Sequence, residues 1–131
     1  MNSFARFNKG TLFISWKLEL KAMEAATPKE FFEKSLSARF RPEKAEGVDV
    51  VAQINLTGSN GGDWIVAVRN QKIDVAEGIH SSPTLTLKMN DNDFMDIINK
   101  KTSVEKAFFS GKIHFEGNIS LALKLRDAGF L

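Results

Sequence analysis

The chain has 131 residues, of which 43% are hydrophobic and 26% charged, as expected of one globular domain. It has no cysteine, which excludes disulfides and thiolate metal sites, and its net charge of +2 gives no nucleic-acid-binding signature. Eleven phenylalanines accompany two tryptophans and no tyrosine, which favours an interior with few hydroxyl groups.

Residues 1–26 are interpreted as an N-terminal extension with an ambiguous pattern. Alternate apolar positions from Leu12 to Leu20 fit a strand, whereas Trp16, Leu20 and Met23 share one helical face. Good helix formers at 17–26 favour a frayed helix that packs on the body through Trp16 and Leu20. Met23 is an alternative start of the natural chain. No apolar run reaches the roughly 18 residues of a membrane-spanning helix.

The clear pattern of a folded domain covers residues 27–131 and begins with a helix. Thr27 is predicted to cap this helix, with Pro28 at its first position and Glu30 completing a capping box. Apolar side chains follow at helical spacing until Pro42, which ends the helix.

Four strands with alternating apolar residues are predicted at 48–56, 64–69, 72–76 and 84–89, forming an antiparallel run. The glycine-rich segment 57–62 is predicted to be a long hairpin turn. Asn70 and Gln71 are predicted to form a two-residue turn, since Asn tolerates positive φ.

Two short helices, a fifth strand and a final helix are predicted after residue 90. Asp91 is predicted to cap the first helix, and a capping box at 102–105 opens the second, which ends at Phe109. Residues 112–116 alternate as a strand, Gly117 breaks it, and Asn118 can cap the last helix. This order predicts an α+β domain with one sheet covered on one face by helices.

Recognisable catalytic and metal-binding patterns are missing from the sequence. No serine lies in a nucleophile elbow, and His80 and His114 are far apart and predicted to lie on the surface. The acids at 91, 93 and 96 lack the glycine and bidentate glutamate of an EF-hand, and segment 58–62 lacks the ending of a phosphate loop. Arg39 and Arg41 are candidates to bind an anionic head group, although basic residues are common at helix C-termini. We predict no enzymatic activity, no metal and no cofactor.

A set of apolar side chains is the remaining candidate feature. It consists of Phe31, Phe32, Leu36, Phe94, Ile98, Phe108, Phe109 and the inward residues of the strands. These side chains either fill a solid core or wall a cavity. The pattern alone favours a solid core, because periodicity reports burial and not empty space.

Several segments, in order and spacing, resemble the sterol carrier protein 2 (SCP2) family of nonspecific lipid-transfer domains. They are WIVAVRN at 64–70, TLTL at 84–87 followed by DF at 93–94, AFFSGKI at 107–113 followed by GN at 117–118, and LALKL at 121–125. The resemblance implies a five-stranded, mostly antiparallel sheet with helices on one face. It also implies an apolar tunnel between sheet and helices, with the last helix at its mouth.

The resemblance further implies a non-catalytic carrier of a long-chain fatty acid, acyl-CoA, sterol or phospholipid. The expected tunnel wall comprises Phe31, Leu36, Phe94, Ile98, Phe108 and Phe109. The expected floor comprises Ile54, Val66, Val68 and Leu87, and the expected lid comprises Leu121, Leu123 and Leu125.

The chain departs from the family pattern at several positions. Gln71 stands where the hairpin turn usually has glycine, which strains a two-residue turn, and Val104 stands where a proline is frequent. The C-terminal Gly129-Phe130-Leu131 is not a peroxisomal signal, so a cytoplasmic location is expected.

Two alternatives to a lipid carrier stay open. One is an interaction module with a filled tunnel, paired with another protein or with a second copy as a homodimer. The other is an accessory domain that presents acyl substrates to a separately encoded lipid enzyme.

Overall fold

The computed structural model describes residues 25–130. The predicted helix before residue 25, with its contacts through Trp16 and Leu20, therefore lies outside the described residues.

The described elements follow the predicted order. Helix α1 consists of three consecutive pieces, Pro28–Glu30, Phe31–Ser35 and Leu36–Arg39, and the 3-10 turn Pro42–Lys44 follows it. The strands are β1 (Val50–Thr57), β2 (Gly62–Arg69), β3 (Lys72–Glu77), β4 (Leu85–Asn90) and β5 (His114–Gly117). The remaining helices are α2 (Asp91–Ile98), α3 (Val104–Phe109) and α4 (Ile119–Asp127).

The five strands form one sheet in the order β3-β2-β1-β4-β5, so the predicted α+β architecture is confirmed. Three of the strand pairs are antiparallel, and β1 and β4 are parallel, with Ile54 opposite Leu87. The prediction that the first four strands form an antiparallel run is therefore wrong for β4, which pairs with β1 in parallel. Because β3 lies at the sheet edge, the chain returns across the sheet before β4 and enters it beside β1.

One face of the sheet carries the core. Alternate residues of the three central strands are buried on this face: Val50, Ala52, Ile54 and Leu56 in β1, Trp64, Val66 and Val68 in β2, and Leu85, Leu87 and Met89 in β4. On the opposite face Gln53 is also buried, because the loop after β3 crosses over it. Its side-chain amide donates to the Gly78 carbonyl at 3.0 Å, and its oxygen accepts from the His80 N–H at 2.7 Å.

Helix α1 begins at the predicted cap and contains one wide turn. The Thr27 hydroxyl accepts the Glu30 N–H at 3.2 Å, which confirms the predicted cap. The Leu36 N–H donates to the Phe31 carbonyl, five residues back, so Phe31–Ser35 is a π-helical turn. This wide turn brings Phe31, Phe32, Ser35 and Leu36 to the buried face.

The caps of the later helices differ in part from the prediction. Asn90 caps α2 instead of Asp91, and Ser103 caps α3. Asp91 is buried, and its carboxylate accepts the Asn60 N–H at 2.9 Å, which fixes the glycine-rich turn. Asn118 caps α4 as predicted.

Asn70 and Gln71 form the predicted two-residue turn between β2 and β3. Their φ values are 53° and 59°, and the flanking residues Arg69 and Lys72 are paired. Both residues therefore adopt the left-handed conformation that a type I′ turn requires. The expected strain at Gln71 follows from this conformation, because its Cβ approaches the following carbonyl.

Candidate functional site

An aromatic cluster fills the space between α1, α2 and the centre of the sheet. The Phe32 ring stacks on Trp64 at 4.9 Å and on Phe94 at 5.4 Å, and Phe31 meets Phe94 edge-on at 5.4 Å. Phe130, from the C-terminal segment, lies 6.1 Å from Phe31. All five side chains are buried. This part of the interior is therefore solid core.

An apolar cavity of about 270 Å³ lies at the other end of the helical layer, above β4 and β5. It is lined by Leu85, Leu87, Val104, Glu105, Phe108, Phe109, Ile113, Phe115, Ile119, Ala122, Leu123, Leu125, Arg126 and Phe130. These residues come from both strands, from α3 and α4, and from the C-terminal segment.

The cavity is partly open to solvent, and exposed apolar side chains surround its opening. Phe109 is 85% exposed, Ile119 54%, Phe108 45% and Leu123 43%. Exposed large apolar side chains that cluster around a cavity are typical of a ligand- or partner-binding surface.

Glu105 on α3 and Arg126 on α4 are the charged residues in the cavity lining. The Arg126 Nη1 atom donates to the Glu105 Oε2 atom at 2.8 Å. The Nε and Nη2 atoms of Arg126 donate to the Asp127 Oδ1 atom, each at 3.3 Å. The Arg126 side chain is 29% exposed, whereas those of Glu105 and Asp127 are 60% and 61% exposed.

A more polar groove of about 500 Å³ adjoins the cavity on the far side of this ion pair. It is lined by Ile97, Lys100, Thr102, Ser103, Val104, Glu105, Lys106 and Arg126. The cavity and the groove share Val104, Glu105 and Arg126, so the Glu105–Arg126 pair lies at the boundary between an apolar space and a basic one.

Residues 30–128 match the family described as the SCP-2 sterol transfer family. The chain belongs to this family. The predicted resemblance is thereby confirmed, and this SCP2 domain is a lipid-binding or lipid-transfer module. The alternative of an interaction module with a filled tunnel is not favoured.

The chain is also similar to parts of longer proteins. The chain is 29% identical to hydroxysteroid dehydrogenase-like protein 2 of Xenopus laevis over 86% of its own length and 27% of that protein. It is 34% identical to human sterol carrier protein 2 over 53% of its own length and 13% of that protein. The chain thus corresponds to a small part of each of these longer proteins.

A solved structure of similar size also matches. The solution structure of palmitated SCP2L2 from Aedes aegypti superimposes with a TM-score of 0.54 at 30% identity. The match covers 70% of this chain and 88% of the mosquito chain.

The structure separates the predicted site residues of the SCP2 domain into two groups. Five of them line the cavity: Leu87, Phe108, Phe109, Leu123 and Leu125. Seven are buried in the solid core away from it: Phe31, Leu36, Ile54, Val66, Val68, Phe94 and Ile98. Leu121 packs against the core and is also outside the lining. A through-going tunnel is not seen among residues 25–130, because the aromatic cluster occupies the space beneath α1.

The two arginines predicted to bind a head group also lie outside the cavity lining. The Arg39 guanidinium is 5.2 Å from the centre of the Phe31 ring, and its Nη1 atom donates to the Ile98 carbonyl at 3.5 Å. Burial lowers the pKa of Arg39 from its usual value. Arg41 is exposed, and its backbone N–H donates to the Ala128 carbonyl at 2.7 Å. In this structure Arg39 joins α1 to the end of α2.

Sequence reasoning missed most of the cavity lining. The missed residues are Leu85, Val104, Glu105, Ile113, Phe115, Ile119, Ala122, Arg126 and Phe130. Two signals for them existed. Leu85 has the same strand parity as Leu87, and Ile119, Ala122 and Arg126 are spaced along one face of a helix.

Residues 25–130 give little support for a metal site, a histidine-based site or a membrane span. His114 is exposed and lies 3.5 Å from Glu116, and the Nδ1 atom of His80 accepts the Ser82 N–H at 3.0 Å. In this part of the chain no three acidic or imidazole side chains are grouped as metal ligands. The helices described here are too short or too polar to cross a bilayer.

Proposed function

We propose that the SCP2 domain holds the alkyl chain of a long-chain fatty acid or acyl derivative in the cavity between β4, β5, α3 and α4. The observation that carries this proposal is the cavity itself, which measures about 270 Å³. All of its lining residues are apolar except Glu105 and Arg126. Small-molecule sites typically measure about 300–1,000 Å³. The cavity is therefore close to the lower bound, and we expect the rest of a long chain to cover the exposed rim.

The energetics are consistent with binding through the alkyl chain. Each methylene moved from water to an apolar site contributes about 0.8 kcal/mol, or roughly 12 kcal/mol for about 16 carbons if all were buried. Association and ordering offset about 4–15 kcal/mol of this gain. A cavity that buries only part of the chain needs the additional apolar contact that Phe109 and Ile119 offer at the rim.

The relatives support an acyl ligand and a non-catalytic role. The mosquito relative was solved in its palmitated form, and palmitate is a long-chain fatty acid. In the Xenopus relative the matching part is 27% of a protein named for a dehydrogenase. We therefore propose that the SCP2 domain carries or presents a lipid and leaves any chemistry to another domain or protein. If the chemistry is done by a separate protein, this domain corresponds to the accessory domain that was expected as an alternative.

The proposal also retains the predicted domain boundary and location. The boundary at residue 27 stays a prediction, and the Thr27 cap that opens α1 is compatible with it. A cytoplasmic location, a second copy as partner and a role for residues 1–26 stay predictions.

The test is a lipid titration of the purified protein, followed by native mass spectrometry with palmitate, palmitoyl-CoA and cholesterol as probes. We expect one acyl chain to bind per protein. The variant Ala122→Phe places a ring in the cavity and should abolish binding, whereas Ala38→Phe, at an exposed position of α1, should not. Failure of wild-type protein to bind any probe, or unchanged binding by Ala122→Phe, would contradict the proposal.

A further inference from the structure

The Glu105–Arg126 ion pair lies where the apolar cavity meets the polar groove. A ligand whose head group lies at this boundary can place the adjoining part of its alkyl chain in the cavity and the far end over the exposed rim. The groove itself adds Lys100 and Lys106. A ligand whose tail is apolar and whose head is anionic matches the apolar and the basic sides of this boundary.

The guanidinium group of Arg126 has a geometry that suits an anionic head group. Arginine presents a planar fork of donors that suits two oxygens of one carboxylate. In this structure the fork is divided between two residues, with Glu105 at 2.8 Å and Asp127 at the longer distance of 3.3 Å. Both carboxylates are mostly exposed, whereas Arg126 is mostly covered. The partners of Arg126 are thus more easily displaced than Arg126 itself.

We propose that Arg126 selects lipids with an anionic head group, and that Glu105 occupies its guanidinium until such a ligand enters. This inference rests on the proposed function, because it assumes that the alkyl chain lies in the cavity. On binding, the ligand's anionic oxygens replace the Glu105 carboxylate, and Glu105 turns toward solvent. Neutral lipids with the same chain have no group that can make this exchange.

The exchange predicts opposite effects for the two charged residues. Arg126→Gln removes the charge but keeps a polar side chain, so affinity for an anionic lipid falls while affinity for a neutral one is retained. Glu105→Gln removes the competing carboxylate, so affinity for an anionic lipid rises. A merely structural role of the ion pair would instead change the affinity for both lipids alike.

The experiment compares dodecanoate with 1-dodecanol, which share a chain and differ in charge, in equilibrium titrations of the full chain. Wild-type protein should bind dodecanoate at least roughly tenfold more tightly, as expected for one charge-assisted hydrogen bond. Arg126→Gln should lose roughly this factor for dodecanoate only, and Glu105→Gln should bind dodecanoate several-fold more tightly. Arg69→Gln is the matched control, because Arg69 forms an exposed ion pair with Asp49 outside the cavity.

The outcomes separate this inference from the proposed function. Binding of neither compound by wild-type protein overturns the cavity as a lipid site, and the inference with it. Equal affinity for both compounds overturns only the selective role of Arg126. If Arg126→Gln does not fold, Glu105→Gln decides, because no gain in dodecanoate affinity would contradict the exchange. Dodecyl phosphate, which has the same chain, distinguishes a carboxylate from a phosphate as the anionic group in the same titration.

Discussion

The ring centre of Phe130 lies 6.1 Å from that of Phe31 in the aromatic core, and Phe130 also lines the apolar cavity. The C-terminal segment thus forms a partition between the solid part of the interior and its open part. Its position is fixed by the backbone, since the Arg41 N–H donates to the Ala128 carbonyl at 2.7 Å. The depth of the cavity therefore depends on how firmly this segment packs against α1.

The variant Phe130→Ala should remove this partition. Truncating a buried phenylalanine destabilises a domain by about 3–5 kcal/mol, because apolar contacts are lost and a void remains. Urea denaturation measures the change. Phe109→Ala is the control, because its ring is 85% exposed and its loss should change stability by less than about 0.5 kcal/mol. Similar losses for both variants would contradict the partition.

The variant Phe108→Asp should reduce fatty-acid uptake strongly while the domain stays folded. Phe108 lines the cavity but is 45% exposed, so the fold does not depend on its burial. A carboxylate beside an apolar ligand loses hydration without gaining a partner, and we expect at least a roughly tenfold loss of affinity. Displacement of a fluorescent fatty acid provides the measurement. Ile79→Asp, at a position 74% exposed and outside the lining, should bind as wild type does.

The variant Gln71→Gly should stabilise the domain. Gln71 has a φ of 59°, which costs an L-residue about 1–2 kcal/mol and glycine much less. Loss of its exposed hydrogen bond to the Pro42 carbonyl and the greater freedom of unfolded glycine reduce the gain to about 0.5–1 kcal/mol. Thermal unfolding should show a higher midpoint. Gln71→Val should lower the midpoint, since a β-branched residue fits this conformation poorly; a rise with valine would show that the turn is not strained.

The variant Gln53→Glu should destabilise the sheet by about 2–4 kcal/mol at pH 7. The buried Gln53 amide donates to the Gly78 and Trp64 carbonyls, and an ionised carboxylate in its place faces these oxygens without a proton to donate. The penalty, taken relative to wild type, should be smallest near the ordinary glutamate pKa of about 4.3, where a protonated carboxyl still donates one hydrogen bond, and should grow as pH rises. Urea titrations of both proteins at several pH values measure it. A penalty independent of pH would indicate that only the lost amide hydrogen bonds, and not a buried charge, destabilise the variant.

The fold was predictable because its signals are local. The Thr27 and Asn118 caps, the Asn70-Gln71 turn and strand alternation each depend on neighbouring residues, and each is confirmed. The pairing of β4 with β1 is not local, so the parallel neighbour of Ile54 was missed.

The site was predictable only in part, because burial and cavity lining are different properties. The buried position of Phe94 follows from helical spacing, but its contact with Phe32 rather than with a cavity depends on packing between distant segments. In α4 the prediction took alternate residues, Leu121, Leu123 and Leu125. Helical periodicity instead brings Ile119, Ala122, Leu123 and Arg126 to one face, and these four line the cavity together with the predicted Leu125.

The wide turn at Phe31–Ser35 has a consequence for comparing this domain with its relatives. A turn closed by a bond from residue 36 to residue 31 contains one residue more than an ordinary helical turn. A relative whose first helix is regular throughout should therefore align with this chain only through a one-residue gap inside that turn. Aligned without the gap, every position on one side of the turn would be matched to a neighbour about 100° away around the helix, and core residues would be paired with surface residues.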